Sequence, residues 1–330
     1  MGPCGGAVDT LVSIENATGS ASADWIVGTT GDNMLSGGAG DDHIDSWGGN
    51  DVLDGGDGND SINTVFMLLP TPTGPATTGA LMIGGDGNDS LQSGYSNDTM
   101  LGGAGNDVFG ISDYAATRVI DGGTGVDMLY FGSSGFSAGV VFDLNKAGPQ
   151  LVAPNVVVTV ANVENVSGSN GADTIVGDAN ANQLSGNAGA DTLFGGGGDD
   201  QISGGDGDDY IVGGQGRDQL RGDAGADTFA FAQGDGSFDL IQDFTAEDHI
   251  LFVGGPAGSS SNYLALDTND SSAVSAAFAG EGVRYVAIPF GDAILLFADL
   301  GEEGTTYDQT IIVGGASLSS FDASSILGLV

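Results

Sequence analysis

Residues 168–230 read GSNGADTIV GDANANQLS GNAGADTLF GGGGDDQIS GGDGDDYIV GGQGRDQLR GDAGADTFA, seven consecutive blocks of nine. The sixth place of each block is Asp173, Asn182, Asp191, Asp200, Asp209, Asp218 and Asp227. The eighth is Ile175, Leu184, Leu193, Ile202, Ile211, Leu220 and Phe229. Self-similarity at a fixed period is read first, because it dictates a repeat architecture. The glycine-rich half must turn sharply, and glycine reaches positive φ without steric cost. The last three residues suit a very short strand, with the central apolar residue inward and its polar neighbours outward. Two nonads make one coil with a turn on each side. Residues eighteen apart then stack along one edge. Asp173, Asp191, Asp209 and Asp227 share one edge, and Asn182, Asp200 and Asp218 the other. Stacked carboxylates repel unless a cation lies between them, and carboxylates with turn carbonyls suit Ca²⁺.

These residues resemble the RTX (repeats-in-toxin) family, whose signature is G-G-x-G-x-D-x-U-x with U a large apolar residue. The resemblance implies an all-β fold of tandem parallel β-rolls with calcium buried between turns. The expected metal ligands are the on-phase acids Asp24, Asp42, Asp51, Asp60, Asp89, Asp98, Asp107, Asp127, Asp173, Asp191, Asp200, Asp209, Asp218 and Asp227. With them go the turn glycines Gly37, Gly55, Gly84, Gly102, Gly186, Gly195, Gly204 and Gly213. A run of matches is specific evidence, whereas one such match is usually a plain glycine turn.

Composition narrows the function. Five Lys and Arg face 45 Asp and Glu, a net charge of −40, and 61 residues are Gly. Nucleic acid and anionic membrane both need basic patches, so neither is an expected partner. A hydrophobic content of 40% and the strict phase argue against disorder. No run of eighteen apolar residues occurs, so no membrane span is expected. The start, Met1-Gly2-Pro3-Cys4-Gly5-Gly6, has no basic or apolar signal region. Cys4 is the single cysteine and reads as incidental. The first residues look like the end of a connector, as if the chain came from a longer array.

The pattern begins near Thr10. The blocks GSASADWIV (19–27), GTTGDNMLS, GGAGDDHID, SWGGNDVLD and GGDGNDSIN (55–63) parallel the second array, including the entry Ile14-Glu15-Asn16, which matches Val163-Glu164-Asn165. Asn33 matches Asn182, which suggests an opening coil whose outer edge lacks a full calcium site. A proline-rich insertion at 64–83 interrupts the register, either as a loop or as a coil with a side excursion. Its apolar run Val65–Leu69 could contact a partner or pack on the roll. The register resumes at 84–110, breaks at 111–121 and returns at 122–130. The reading is therefore a first roll at 1–130, a connector at 131–162 with strands at Val140–Leu144 and Val156–Val160, and a second roll at 163–235.

Residues 236–330 should form a β-rich cap and a C-terminal region. A solenoid needs a cap, or its last coil exposes apolar surface. The segments Asp235–Phe244 and Asp248–Phe252 resemble the close of serralysin-type RTX domains, and strands follow at Tyr285–Ile288, Ala293–Asp299 and Gln309–Val313. The tail Phe321–Val330 has no Lys or Arg. By resemblance such a tail directs export through type I secretion machinery; it also suits a final strand.

No catalytic constellation stands out. His43 and His249 lie outside any H-E-x-x-H helix, no G-x-S-x-G elbow occurs, and Lys146 has no phosphate loop around it. On-phase carboxylates assigned to calcium make poor general acids. The expectation is a non-enzymatic, secreted, extracellular or surface-layer-like calcium-binding protein, with uncovered roll ends as a route to self-assembly. Two other readings remain open at this level. One is the folding and secretion module of a larger enzyme or toxin. The other is an adhesin using Trp25, Trp47 or Tyr95.

Overall fold

The eighth residue of each nonad points into the interior. Ile175, Leu184, Leu193, Ile202, Ile211, Leu220 and Phe229 are all buried, as are Leu35, Ile44, Leu53, Ile62, Leu91, Met100, Phe109 and Leu129 in the first array. In most strands their neighbours are more exposed, in the period of two that a strand requires, although Ala230 beside Phe229 is also buried. The computed structural model describes residues 15–64, 78–113, 115–132, 136–232, 235, 238–253, 263–265, 284–290, 292–298, 309–316, 321 and 323–329. Among them secondary structure is β throughout, apart from one short 3₁₀ turn at Ala323–Ser325. Cys4 and the Val65–Leu69 run lie outside the described residues.

The chain divides into two units, Met1–Ser167 and Gly168–Val330. In the first, Asn16–Thr18, Met34–Ala39, Val52–Asp57, Leu81–Asp86, Thr99–Ala104 and Ala116–Thr124 form one parallel ladder. Trp25–Val27, His43–Asp45, Ser61–Asn63, Ser90–Ser93, Val108–Ile111, Met128–Phe131 and Asn165–Ser167 form the other. Successive strands of the chain alternate between the two ladders, which is the path of a β-roll.

Register shows how each interruption is absorbed. Met34 pairs with Val52, Val52 with Leu81, Leu81 with Thr99 and Thr99 with Val119. The proline-rich insertion is thus spliced into one coil without changing which residues face inward. It also ends earlier than the sequence suggested. Leu81–Asp86 is a strand with Met82 fully buried. Some strands keep the expected three residues, as at His43–Asp45 and Ser61–Asn63, and others have six. Thr192–Gly197 runs on through the glycines, and Gly196 pairs with Gly214. The glycines of successive coils stack backbone to backbone. At Gly207, with φ 136°, a Cβ would run into the Gly189 carbonyl oxygen.

Residues 131–162 continue the first unit. Val156–Ala161 pairs in parallel with Ala116–Thr124, and Gln150–Ala153 returns antiparallel beside it. Val141–Asp143 is the third strand of this stretch.

In the second unit, Thr174–Val176, Thr192–Gly197, Tyr210–Gln215, Thr228–Ala232, His249–Val253 and Ile326–Leu329 stack in parallel. Opposite them, Gln183–Ala188, Gln201–Asp206, Gln219–Ala224 and Asp239–Ile241 lead to Gln309–Gly314. There the direction reverses through Ala293–Ala298 and Tyr285–Phe290, both antiparallel. These are the strands expected beyond the repeat. Aromatic rings fill this end: Phe252 stacks on Tyr285 with centroids 5.0 Å apart, and Phe244 meets Phe321 at 5.6 Å.

Because Leu193 is fully enclosed, Leu193→Ala should lower the stability of the calcium-saturated protein by about 2–5 kcal/mol in denaturant titrations. Gln201→Ala, on the outward face, should change it by less than about 0.5 kcal/mol.

Candidate calcium-binding edges

From the second rung of each ladder on, the on-phase acid does two jobs with its two oxygens. One accepts a backbone N–H from the coil before it. Asp42 Oδ1 takes the Asp24 amide at 2.7 Å, Asp60 the Asp42 amide at 2.8 Å, and Asp89 the Asp60 amide at 2.8 Å. Asp107 takes Asp89, Asp127 takes Asp107 at 2.7 Å, and Glu164 takes Asp127 at 2.8 Å. The ladder crosses the insertion and ends on Glu164. That glutamate, expected to open the second roll, closes the first edge instead.

In the second unit one edge runs Asp173, Asp191, Asp209, Asp227, Asp248, and the other Asn182, Asp200, Asp218, Asp239, by the same N–H to Oδ1 bonds. Asp239 and Asp248 were not among the expected ligands. They sit 21 residues after their partners, so a strict period of eighteen passes over them.

The second oxygen decides the chemistry. Oδ2 of Asp42, Asp60, Asp89, Asp107, Asp127, Asp191, Asp200, Asp209 and Asp218 is buried and makes no hydrogen bond. Leaving a buried carboxylate oxygen unpaired is costly, so each needs a partner that the chain does not provide. At every one of the nine, the residue four places earlier has positive φ. Seven are Gly38, Gly56, Gly85, Gly103, Gly123, Gly196 and Gly205; Gly214 serves Asp218, and Asn187 (φ 74°) serves Asp191. Asn tolerates this left-handed conformation better than most residues.

At four positions where that residue lacks positive φ, its own amide caps the side chain. Ser20 donates to Asp24, Thr29 to Asn33, Ser169 to Asp173 and Asp178 to Asn182, at 2.5–2.8 Å. These are the opening coils of the two units, so the ladders begin with satisfied side chains. The second unit also ends so: Gln309 donates to Asp239 Oδ2 at 3.0 Å, and Thr245 to Asp248 Oδ2 at 2.6 Å.

The first glycine of the nonad completes the pocket. A Cβ on Gly37 would meet both Asp42 Oδ2 and the Gly55 carbonyl oxygen; Gly55, Gly84, Gly102, Gly186, Gly195 and Gly204 repeat this arrangement with the next coil's glycine carbonyl. At Gly213 the nearest atoms belong to Asp218 alone. Carboxylate and carbonyl oxygens therefore converge on a space kept clear by the missing side chain. Among the described residues no three His, Cys, Asp or Glu side chains converge on one point. The donor set is one carboxylate per coil plus carbonyls, hard oxygens in a loose arrangement, and it fits Ca²⁺ rather than zinc. Calcium held there would neutralise stacked carboxylates and tie one coil to the next.

Two expected ligands lie in different surroundings. Asp51 Oδ2 accepts the Ser46 hydroxyl, and Asp98 Oδ2 accepts those of Ser93 at 2.7 Å and Thr64 at 2.9 Å. Serine stands here where the other nonads have their first glycine, a difference visible in the blocks SWGGND and SGYSND. His43 pairs with Asp45 at 3.0 Å and meets Trp25 edge-on, away from the ladder. The Arg217 amide bonds Asp199, and the Arg221 guanidinium lies beside Asp223 and Asp243.

The family model for the RTX calcium-binding nonapeptide repeat matches residues 18–53, 48–64, 81–109, 167–202 and 203–238. No curated protein matches. Among solved structures, the extracellular lipase LipA from Serratia marcescens is similar at 15% identity and a TM-score of 0.25, over 92% of this chain. The chain spans 40% of that structure's length.

Burial raises the pKa of these carboxyls, opposed by the N–H each accepts. Asp191 and Asp227 rise to about 6, and Asp200, Asp209 and Asp239 to about 7. The ordinary value is 3.8. Without a cation the folded coil thus binds more protons than the unfolded chain, and its stability falls as pH rises from about 4 to about 7. In chelator, the β content seen by circular dichroism should be higher at pH 5.5 than at pH 7.5, and calcium should restore it at pH 7.5. Equal β content at both pH values in chelator would contradict the shift. The repeat match and the oxygen-lined edges together support placing these stretches in the RTX family.

Proposed function

We propose that the chain is a secreted calcium-binding protein that folds on meeting extracellular Ca²⁺. In this reading it acts without catalysis, as a structural or cell-surface component exported by type I secretion. The observation that carries it is the set of nine buried, unpartnered Oδ2 atoms. A fold that leaves so many carboxylate oxygens without donors is incomplete until cations join it, so binding free energy becomes folding free energy. The net charge of −40 acts in the same direction, since self-repulsion opposes compaction until ions offset it. The on-phase carboxylates are engaged in coil-to-coil bonds, which suits a structural part better than acid–base work.

Extracellular calcium modules bind in the range of roughly 10⁻⁴ to 10⁻³ M. Cytosolic calcium is far lower, so the chain would stay extended inside the cell, the state an exporter can thread. Sedimentation velocity tests this reading. An expanded species in chelator should become compact in about 5–10 mM calcium, roughly ten times the module range. Reversible growth to large species would add self-assembly, and an unchanged coefficient would overturn the reading. Asp209→Asn should weaken calcium-induced folding of the second unit several-fold, read by segment-resolved hydrogen exchange, and leave residues 15–64 unaffected.

A further inference from the structure

The unpartnered carboxylate oxygens are distributed unevenly. In the second unit they occur on both edges, at Asp191 and Asp209 on one and Asp200 and Asp218 on the other. In the first unit all of them, Asp42, Asp60, Asp89, Asp107 and Asp127, lie on one edge. The opposite edge stacks Asn33, Asp51, Ala80 and Asp98, each just before a paired strand, and Arg118, which lies inside Ala116–Thr124 just before Val119, the partner of Thr99.

Arg118 is fully buried on this edge. Its Nε donates to Ser93 Oγ at 2.7 Å, and its Nη2 to the Gly94 carbonyl oxygen at 2.6 Å and to Ser112 Oγ at 3.2 Å. Ser93 Oγ donates onward to Asp98 Oδ2. Thr64 Oγ1 donates to the same oxygen and accepts the Gly94 amide at 3.0 Å. Asp98 Oδ1 takes the Ala80 amide at 2.8 Å, as in every other rung. The acid is therefore fully bonded, and a permanent positive charge lies one coil away on the same edge. Burial pulls the Arg118 pKa down to about 10, with Asp98 and Asp113 opposing, so it remains charged at neutral pH.

We propose that Arg118 serves as a built-in cation on this edge. With the hydroxyls of Ser46 and Ser93, it takes the place that calcium holds elsewhere, so this edge of the first unit closes without the ion. The inference rests on the calcium reading of the other edges. A guanidinium directs planar donors at a carbonyl and at hydroxyls, whereas calcium must be gathered from solution. Ser46 and Ser93 also occupy the space that glycine leaves for the ion. The first unit would then need calcium along one edge only, and the second unit along two.

Equilibrium dialysis of the full chain tests the contrast. Asp98→Asn should bind as many calcium ions as the unaltered chain, while Asp107→Asn should bind at least one fewer. An equal loss in both variants would overturn the proposal. Should Asp98→Asn fail to fold, anomalous diffraction from calcium-grown crystals of the unaltered chain decides the matter. Ions beside Asp60, Asp89 and Asp107, with none between Asp51 and Asp98, are expected. Ions on both edges would overturn the built-in cation alone. Ions on neither edge would remove the calcium reading itself, and the stand-in role with it.

Discussion

A carboxylate that accepts the amide of the preceding coil and leaves its second oxygen bare is the constraint on which both units depend. It fixes the turn-to-turn spacing, because Oδ1 must reach an N–H one coil away. It also makes the edge unstable by itself, because Oδ2 is buried without a donor. A single buried Leu or Ile per nonad stabilises by about 1.5–3 kcal/mol. Ordering nine residues of backbone costs several times that. Strand hydrogen bonds, and in the calcium reading cations between the carboxylates, supply the remainder.

Backbone conformation controls whether an edge position calls for a cation. With positive φ four residues ahead of the acid, the amide at that position turns away and the oxygen is exposed to the pocket. With ordinary φ, as at Ser20 and Ser169, the same amide caps the acid. The glycine pair of the nonad thus withholds a donor as well as making a turn. Asn187 shows that conformation matters more than residue identity, since it reaches φ 74° and leaves Asp191 uncapped.

The ends of the ladders follow from the same rule. The opening rungs are self-capped, and the closing rungs of the second unit borrow donors from Thr245 and Gln309. Beyond them the aromatic cluster around Phe244, Phe252, Tyr285 and Phe321 replaces polar rungs with apolar contact. A cap built this way ends the polar ladders with satisfied groups and covers the last inward-facing side chains of the roll.

Much of this was legible in residues 168–230 alone. A nine-residue period with glycine, aspartate and one large apolar residue has a single economical solution, so the all-β coil, the inward residues and the stacked acids could be read directly. The strands beyond the repeat were visible as β-branched and aromatic runs. The interrupted rungs were not visible. Asp60 to Asp89, Asp218 to Asp239 and Asp227 to Asp248 are joined across insertions, and sequence period cannot show which residues a loop leaves in register. Nor could it place Arg118, which enters the edge only because Ala116–Thr124 pairs with Thr99–Ala104. Local pattern determined the repeating unit, because each nonad obeys its own steric and polar rules. Tertiary stacking decided which acids share an edge and which oxygens lack a donor, because both depend on atoms one full coil away.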